Sequence, residues 1–301
     1  MGCCQGRSQK PLQSINAPTK KEEPDTIDKA YFSSISSNFQ TAAHNYYRNN
    51  FRVTSVDSRK VNEELEEFYN ARASVDINKL AKLLSSETVF TLDEGVLLHP
   101  WAENPRTIGA LTAMQIGIFA SDNDILKDSK FNEGMLSSRV LELLLNFAAS
   151  LERYKFEASI LTLSYLSKNN PDIAEALIKR NALPIFIRHM RDGKEGLRST
   201  AALCCRNLYV GRQNMQKLFV REGGCSLLVH LLKSDDSSTV FETILNILDL
   251  ILDNEDTIQL DIKRHLEECH IVKHLQTIIE KSDKYDQNTI SEAIKLKNSF
   301  E

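Results

Sequence analysis

The residues with the clearest chemical potential open the chain: Met1-Gly2-Cys3-Cys4-Gln5-Gly6-Arg7-Ser8-Gln9-Lys10. Removal of Met1 exposes the Gly2 amine, which is the acceptor for a myristoyl amide. Cys3 and Cys4 then lie beside the bilayer, where their thiols are placed for palmitoylation. One myristoyl chain binds marginally, with an association constant of about 10⁴ M⁻¹, and a second chain adds about 0.8 kcal/mol per buried CH₂. Arg7, Lys10, Lys20 and Lys21 follow, with no acidic residue between positions 2 and 21. Each such charge near an anionic leaflet contributes about 1 kcal/mol. Gly6 stands where the common acceptor pattern has Ser or Thr, so the expectation rests on the Met-Gly-Cys-Cys run itself. The bland alternative is a polar tail with incidental thiols.

The other cluster with ligand-type side chains is His265, Cys269, His270 and His274. His265/Cys269 and His270/His274 are each spaced i,i+4, which can put two ligands on one helix face. A helix break expected near Cys269 would split the two pairs, so solvated or capping histidines are predicted and no metal site. A zinc-binding regulatory subunit is the competing reading, and it requires stoichiometric zinc that is lost on His270→Ala. No Walker loop, HExxH, GxSxG or calcium-loop pattern occurs. Cys204 and Cys205 fall in an apolar helical segment, where thiols are structural. No cofactor is expected, and no enzyme activity.

These residues must be positioned by helices. The chain has 301 residues, of which 42% are hydrophobic and 26% charged, with only 11 Gly and 7 Pro. Few turn formers and long apolar-periodic runs predict an all-α chain. The net charge of −4 argues against general nucleic-acid binding. It is unevenly spread: residues 1–60 carry nine basic and five acidic side chains, and residues 61–301 carry 28 and 36. The acidic excess of the second part predicts neutral or basic partners. The six cysteines form no CxxC pair, which fits a reducing compartment rather than a disulfide framework. No run approaches the roughly 18 apolar residues of a membrane span, and no secretory signal is present.

Residues 1–24, with Pro11, Pro18 and Pro24, read as a flexible anchor tail. Residues 25–60 read as an amphipathic helix or cap, striped by Tyr31, Ile35, Phe39, Ala42, Ala43 and Tyr46. Residues 61–301 read as repeats. Leu161, Leu203 and Leu245 recur at a spacing of 42, as do Leu166, Leu208 and Leu250. Leu144-Leu145, Phe186-Ile187 and Leu228-Val229 keep the same offset, and a further copy around Cys269–Leu275 follows at 46. Weaker early copies span Ile77–Leu84 and Ile108–Ala120. Each unit reads as a short helix, a second helix and a longer third helix that is apolar on more than one face. Such helices are buried between stacked neighbours.

A period near 42 with three helices per unit is the signature of armadillo repeats. The segments Val220–Leu232 and Ala201–Leu208 resemble that family, which implies a right-handed α-solenoid of four to five units over about residues 75–301. In the family, third helices line a peptide-binding groove. By repeat phase the groove candidates here are Tyr165, Arg206, Asn207, Asp249 and Asp253; an ordinary solvated face is the alternative. Only Asn207 matches the Asn ladder of importins, and Trp101 is the sole Trp, so nuclear-signal carriage is not expected. An acylatable start joined to armadillo repeats, together with Leu97-Leu98-His99-Pro100-Trp101 through Leu111, resembles the apicomplexan armadillo-repeats-only group of rhoptry proteins. That resemblance implies a scaffold lipidated at Gly2, Cys3 and Cys4 on the cytosolic face of the rhoptry membrane. It also implies recruitment of a myosin motor, an adenylate cyclase and a small adaptor, which positions the organelle at the cell apex. Without acylation the same groove implies a soluble peptide-binding adaptor.

Overall fold

The local chain chemistry places helix ends at a regular spacing. Asn170 caps the helix α8 defined below, its carboxamide oxygen accepting from the Ile173 N–H at 3.2 Å, and Pro171 follows at the first helical position. Asn169 and Gly211 both take a left-handed backbone, with φ of 51° and 68°, and so do Asn181 and Gly223, with φ of 56° and 84°. Each pair lies one 42-residue period apart. A left-handed residue carries little or no steric cost for Gly and a modest one for Asn. The turns therefore repeat in the backbone as the leucines repeat in the sequence.

In the computed structural model, residues 58–92, 98–252, 256–281 and 283–301 are described. They form five successive helical units. The first is α1 (Ser58–Ala73), α2 (Ile77–Leu83) and α3 (Ile108–Ser121). The second opens with two pieces, α4 (Asn123–Lys127) and α5 (Ser129–Ser137), followed by α6 (Val140–Ala149) and α7 (Arg153–Ser167). The third is α8 (Pro171–Lys179), α9 (Leu183–Asp192) and α10 (Glu195–Tyr209). The fourth is α11 (Gln213–Arg221), α12 (Gly224–Leu231) and α13 (Ser237–Leu252). The fifth is α14 (Asp256–Glu268), α15 (Ile271–Glu280) and α16 (Gln287–Asn298). Among the described residues the only extended pairing is an isolated antiparallel bridge, Val89 to Thr107.

The third helix of each unit packs on the next, α3 on α7, α7 on α10, α10 on α13 and α13 on α16. That ladder is the core. Along α7, every residue from Ala158 to Ser167 is buried, and on α10 so are Ala201 to Cys205, Leu208 and Tyr209. An isolated helix apolar on all sides would be insoluble; sandwiched between two others, each fully buried Leu or Ile contributes about 1.5–3 kcal/mol. This is why the third helices lack a clean polar face.

Two expectations need correcting in detail. The last unit does not sit 46 residues after the one before. Its left-handed turn residue is His270, with φ of 62°, 47 residues after Gly223. On α1, Val61, Phe68 and Ala71 are completely buried. The second unit's first helix is broken at Asp128, whose carboxylate caps α5 by accepting from the Lys130 N–H at 2.9 Å. The tail of residues 1–24 and the helix expected over Tyr31–Tyr46 lie outside the described residues.

The long connection between α2 and α3 lies against the N-terminal parts of two third helices. The Glu103 N–H donates to Glu157 on α7 at 2.6 Å, and Arg153 pairs with the same carboxylate at 2.6 Å. Trp101 packs over Gly196 on α10, where any Cβ would stand 2.5 Å from the indole. Glycine is required there by close approach rather than by φ. Gly196→Val is expected to lower stability by about 1–3 kcal/mol through overpacking. Because Trp101 is the only Trp, its emission should shift to the red in the same variant, read by intrinsic fluorescence during thermal melting.

Candidate functional site

The third helices bring most of the groove candidates together but commit them to one another. Arg206 on α10 pairs with Asp249 on α13, Nε to Oδ2 at 2.6 Å, and lies 3.9 Å from the buried Glu242 carboxylate. This cluster ties the third unit to the fourth. Removing the arginine takes the shared cation away from buried Glu242 and partly exposed Asp249. Arg206→Ala should therefore cost about 3 kcal/mol, more than any exposed pair, measured by chemical denaturation. Asn207 donates from its amide to Ser164 O at 3.2 Å and Ser167 Oγ at 3.0 Å, joining α10 to α7. Tyr165 is buried on α7, and burial raises the pKa of its phenol. It is part of the packing and not a surface offered to a ligand. Asp253 lies outside the described residues, as do Gly2, Cys3, Cys4, Arg7, Lys10, Lys20 and Lys21.

The histidine and cysteine cluster is divided as the helix break requires. His265 lies on α14, with Nδ1 2.7 Å from Asp261 O, while Cys269 and His270 form the turn and His274 belongs to α15. Among the described residues no group of three or more His, Cys, Asp or Glu is placed to hold a metal ion. Burial pushes the thiols of Cys204 and Cys205 well above the ordinary cysteine range, and that of Cys225 to about 12. Thiols held protonated in this way are poor nucleophiles.

The open space lies beside these residues. A cleft of about 570 Å³ separates the C-terminal ends of α7 and α10, closed on one side by the start of α8. Its walls include Ser167, Lys168, Ala174, Arg206, Asn207 and Arg212. One period later the equivalents of Ser167 and Ala174 are Tyr209 and Gln216. Both are completely buried, and Tyr209 reaches across to Asn246 O at 3.1 Å. Two small residues thus stand beside the cleft where the next unit has two large ones. That size difference was present in the sequence alignment of the repeats but carried no charge or motif to draw notice.

Arg212 is fixed at the cleft's edge. Its Nη1 lies 3.3–3.5 Å from the carbonyl oxygens of Asn207, Leu208 and Val210 and closes the end of α10. All the charged residues of the lining are basic, Lys168, Arg206 and Arg212. The acidic excess of residues 61–301 therefore does not describe this site.

With helical triplets laddered through their third helices, comparison with solved structures identifies the architecture. The chain superposes on ARO, the armadillo repeats only protein from Plasmodium falciparum, with a TM-score of 0.68 and 26% identity, covering 79% of this chain and 98% of that one. The fold is that of an armadillo-repeat protein. A computationally designed armadillo protein for modular peptide recognition matches with a TM-score of 0.61 at 15% identity, over 89% of this chain and all of its own. A designed armadillo protein solved with the peptide (KR)4 matches at 0.58 and 15% identity, with the same coverage. No protein-family model matches the sequence, and no curated protein does. The armadillo solenoid is a scaffold architecture.

Proposed function

We propose that this armadillo solenoid is a membrane-tethered scaffold. Acyl chains on Gly2, Cys3 and Cys4 hold it on the cytosolic face of a secretory organelle of rhoptry type, and its third-helix groove recruits proteins there. The observation that carries the reading is a Met-Gly-Cys-Cys start ahead of a solenoid that spans 98% of the Plasmodium armadillo-repeats-only structure. The peptide-recognition and peptide-complex descriptions of the designed armadillo proteins support the groove as the recruiting surface. By the family resemblance, the recruited proteins are a myosin motor, an adenylate cyclase and a small adaptor, and the outcome is apical placement of the organelle.

The test is imaging and proximity labelling of the C-terminally tagged chain beside Gly2→Ala. The wild type should mark one organelle surface and biotinylate motor and signalling proteins, and Gly2→Ala should lose both. A wild-type chain spread through the cytosol with the same labelled neighbours would favour a soluble peptide-binding adaptor instead.

A further inference from the structure

We infer that the cleft between α7 and α10 is the docking point for an acidic peptide segment of a recruited protein, one that pairs glutamate or aspartate with an apolar side chain. The inference rests on the groove being a recruiting surface and adds the chemistry of what it recruits. Three features carry it. The charged lining is basic throughout, from Lys168, Arg206 and Arg212, on a repeat region that is otherwise acidic. Arg206 is largely balanced by Asp249 and Glu242, so Lys168 and Arg212 supply the net positive charge, which attracts an acidic segment and disfavours a basic one.

The second feature is orientation. Ser164 O is a carbonyl and can only accept, so the Asn207 amide nitrogen must face it. The Asn207 carboxamide oxygen is thereby turned away from α7, as an acceptor beside the cleft. Such an acceptor suits a peptide N–H. The third is the wall. Leu203, Val210, Pro171 and Ala174 line the cleft beside the charges, and Val210 at the end of α10 is exposed. A volume of about 570 Å³ holds a few side chains of an extended peptide, within the roughly 300–1,000 Å³ of ordinary binding sites.

The neighbouring unit supplies the control. Ala174→Gln installs the residue that the next repeat buries at the same place, and it should fill the cleft without altering charge. Lys168→Glu inverts the charge without filling it. Lys217→Glu alters an exposed residue of α11 outside the lining.

The experiment is fluorescence anisotropy on the full chain with three labelled hexapeptides that intersperse leucine with glutamate, glutamine or lysine. The glutamate peptide should bind tightest and weaken with added salt. It should lose at least tenfold in affinity with Ala174→Gln and with Lys168→Glu, and change less than twofold with Lys217→Glu. Circular dichroism melts confirm that each variant is folded. Tighter binding of the glutamine or lysine peptide would overturn this assignment while leaving a peptide-binding groove in place. Equal loss with Lys217→Glu would reduce the effect to general charge and also overturn it. No binding by any of the three would count against both the cleft and the recruiting groove.

Discussion

Replacing Cys3 and Cys4 together by Ala should move a large share of the protein from the membrane pellet to the soluble fraction, and Gly2→Ala should move nearly all of it. The reasoning is additive. A myristoyl chain alone associates with about 10⁴ M⁻¹, so at about 0.1 mM accessible lipid only half the protein is bound. A palmitoyl chain contributes roughly 10 kcal/mol more at about 0.8 kcal/mol per CH₂, which makes dissociation negligible on the time scale of a fractionation. Without Gly2 acylation the chain visits the bilayer only through Arg7, Lys10, Lys20 and Lys21. It then seldom presents its thiols to a membrane-bound acyltransferase. Salt separates the cases further. The doubly acylated wild type should stay in the pellet at 0.5 M salt, whereas any residual binding of Gly2→Ala should vanish as the basic residues are screened. A Gly2→Ala chain that pellets completely at high salt would rule the anchor out.

Tyr209→Ala should be the most damaging single change within the solenoid. Tyr209 is completely buried at the end of α10. Its hydroxyl lies 3.1 Å from both Asn246 O and Asn246 Oδ1 on α13, and its ring centre is 5.0 Å from that of Phe219. Deleting a buried aromatic side chain costs about 3–5 kcal/mol. Tyr209→Phe keeps the ring and loses only the hydrogen bond, worth about 1 kcal/mol. A repeat array holds together through nearest-neighbour interfaces, so the alanine variant should also split the denaturant unfolding curve. Units on the C-terminal side of α10 should melt first, followed by far-ultraviolet circular dichroism. A single transition within about 1 kcal/mol of wild type would show that this residue does not couple the third and fourth units.

The fold was legible because one physical requirement repeats. Leu161, Leu203 and Leu245 must each enter the same layer of a ladder, and a 42-residue spacing follows. Legibility faded where the chain departs from that period. The fifth unit slipped by one residue because either Cys269 or His270 could be matched to Gly223 by sequence. Only the backbone, with His270 left-handed, decides between them. The first unit is faint in the sequence because the 24-residue connection between α2 and α3 separates its helices more widely than any period allows.

The candidate site was read less well, for a geometric reason. Helical residues advance about 100° apiece, so repeat phase alone cannot separate the solvent face of a third helix from the faces that meet its neighbours. Tyr165 is buried in the packing, Arg206, Asn207 and Asp249 hold neighbouring units together, and of these Arg206 and Asn207 line the cleft. The cleft is lined in part by small residues, Ser167 and Ala174, and small side chains leave no motif. Lys168 and Arg212 came into view only once the end of α7 was set against the end of α10.

The most direct measurement is flotation of the full chain, co-expressed with an N-myristoyltransferase and a protein palmitoyltransferase, on vesicles containing anionic lipid and mixed with the labelled glutamate–leucine peptide. The expected result is that the peptide rises with the vesicles only when the acylated chain is present, and is left behind with either Gly2→Ala or Lys168→Glu. A chain that floats without carrying the peptide, or that carries it equally well after Lys168→Glu, would contradict the account of a tethered solenoid that gathers acidic segments at a lipid surface.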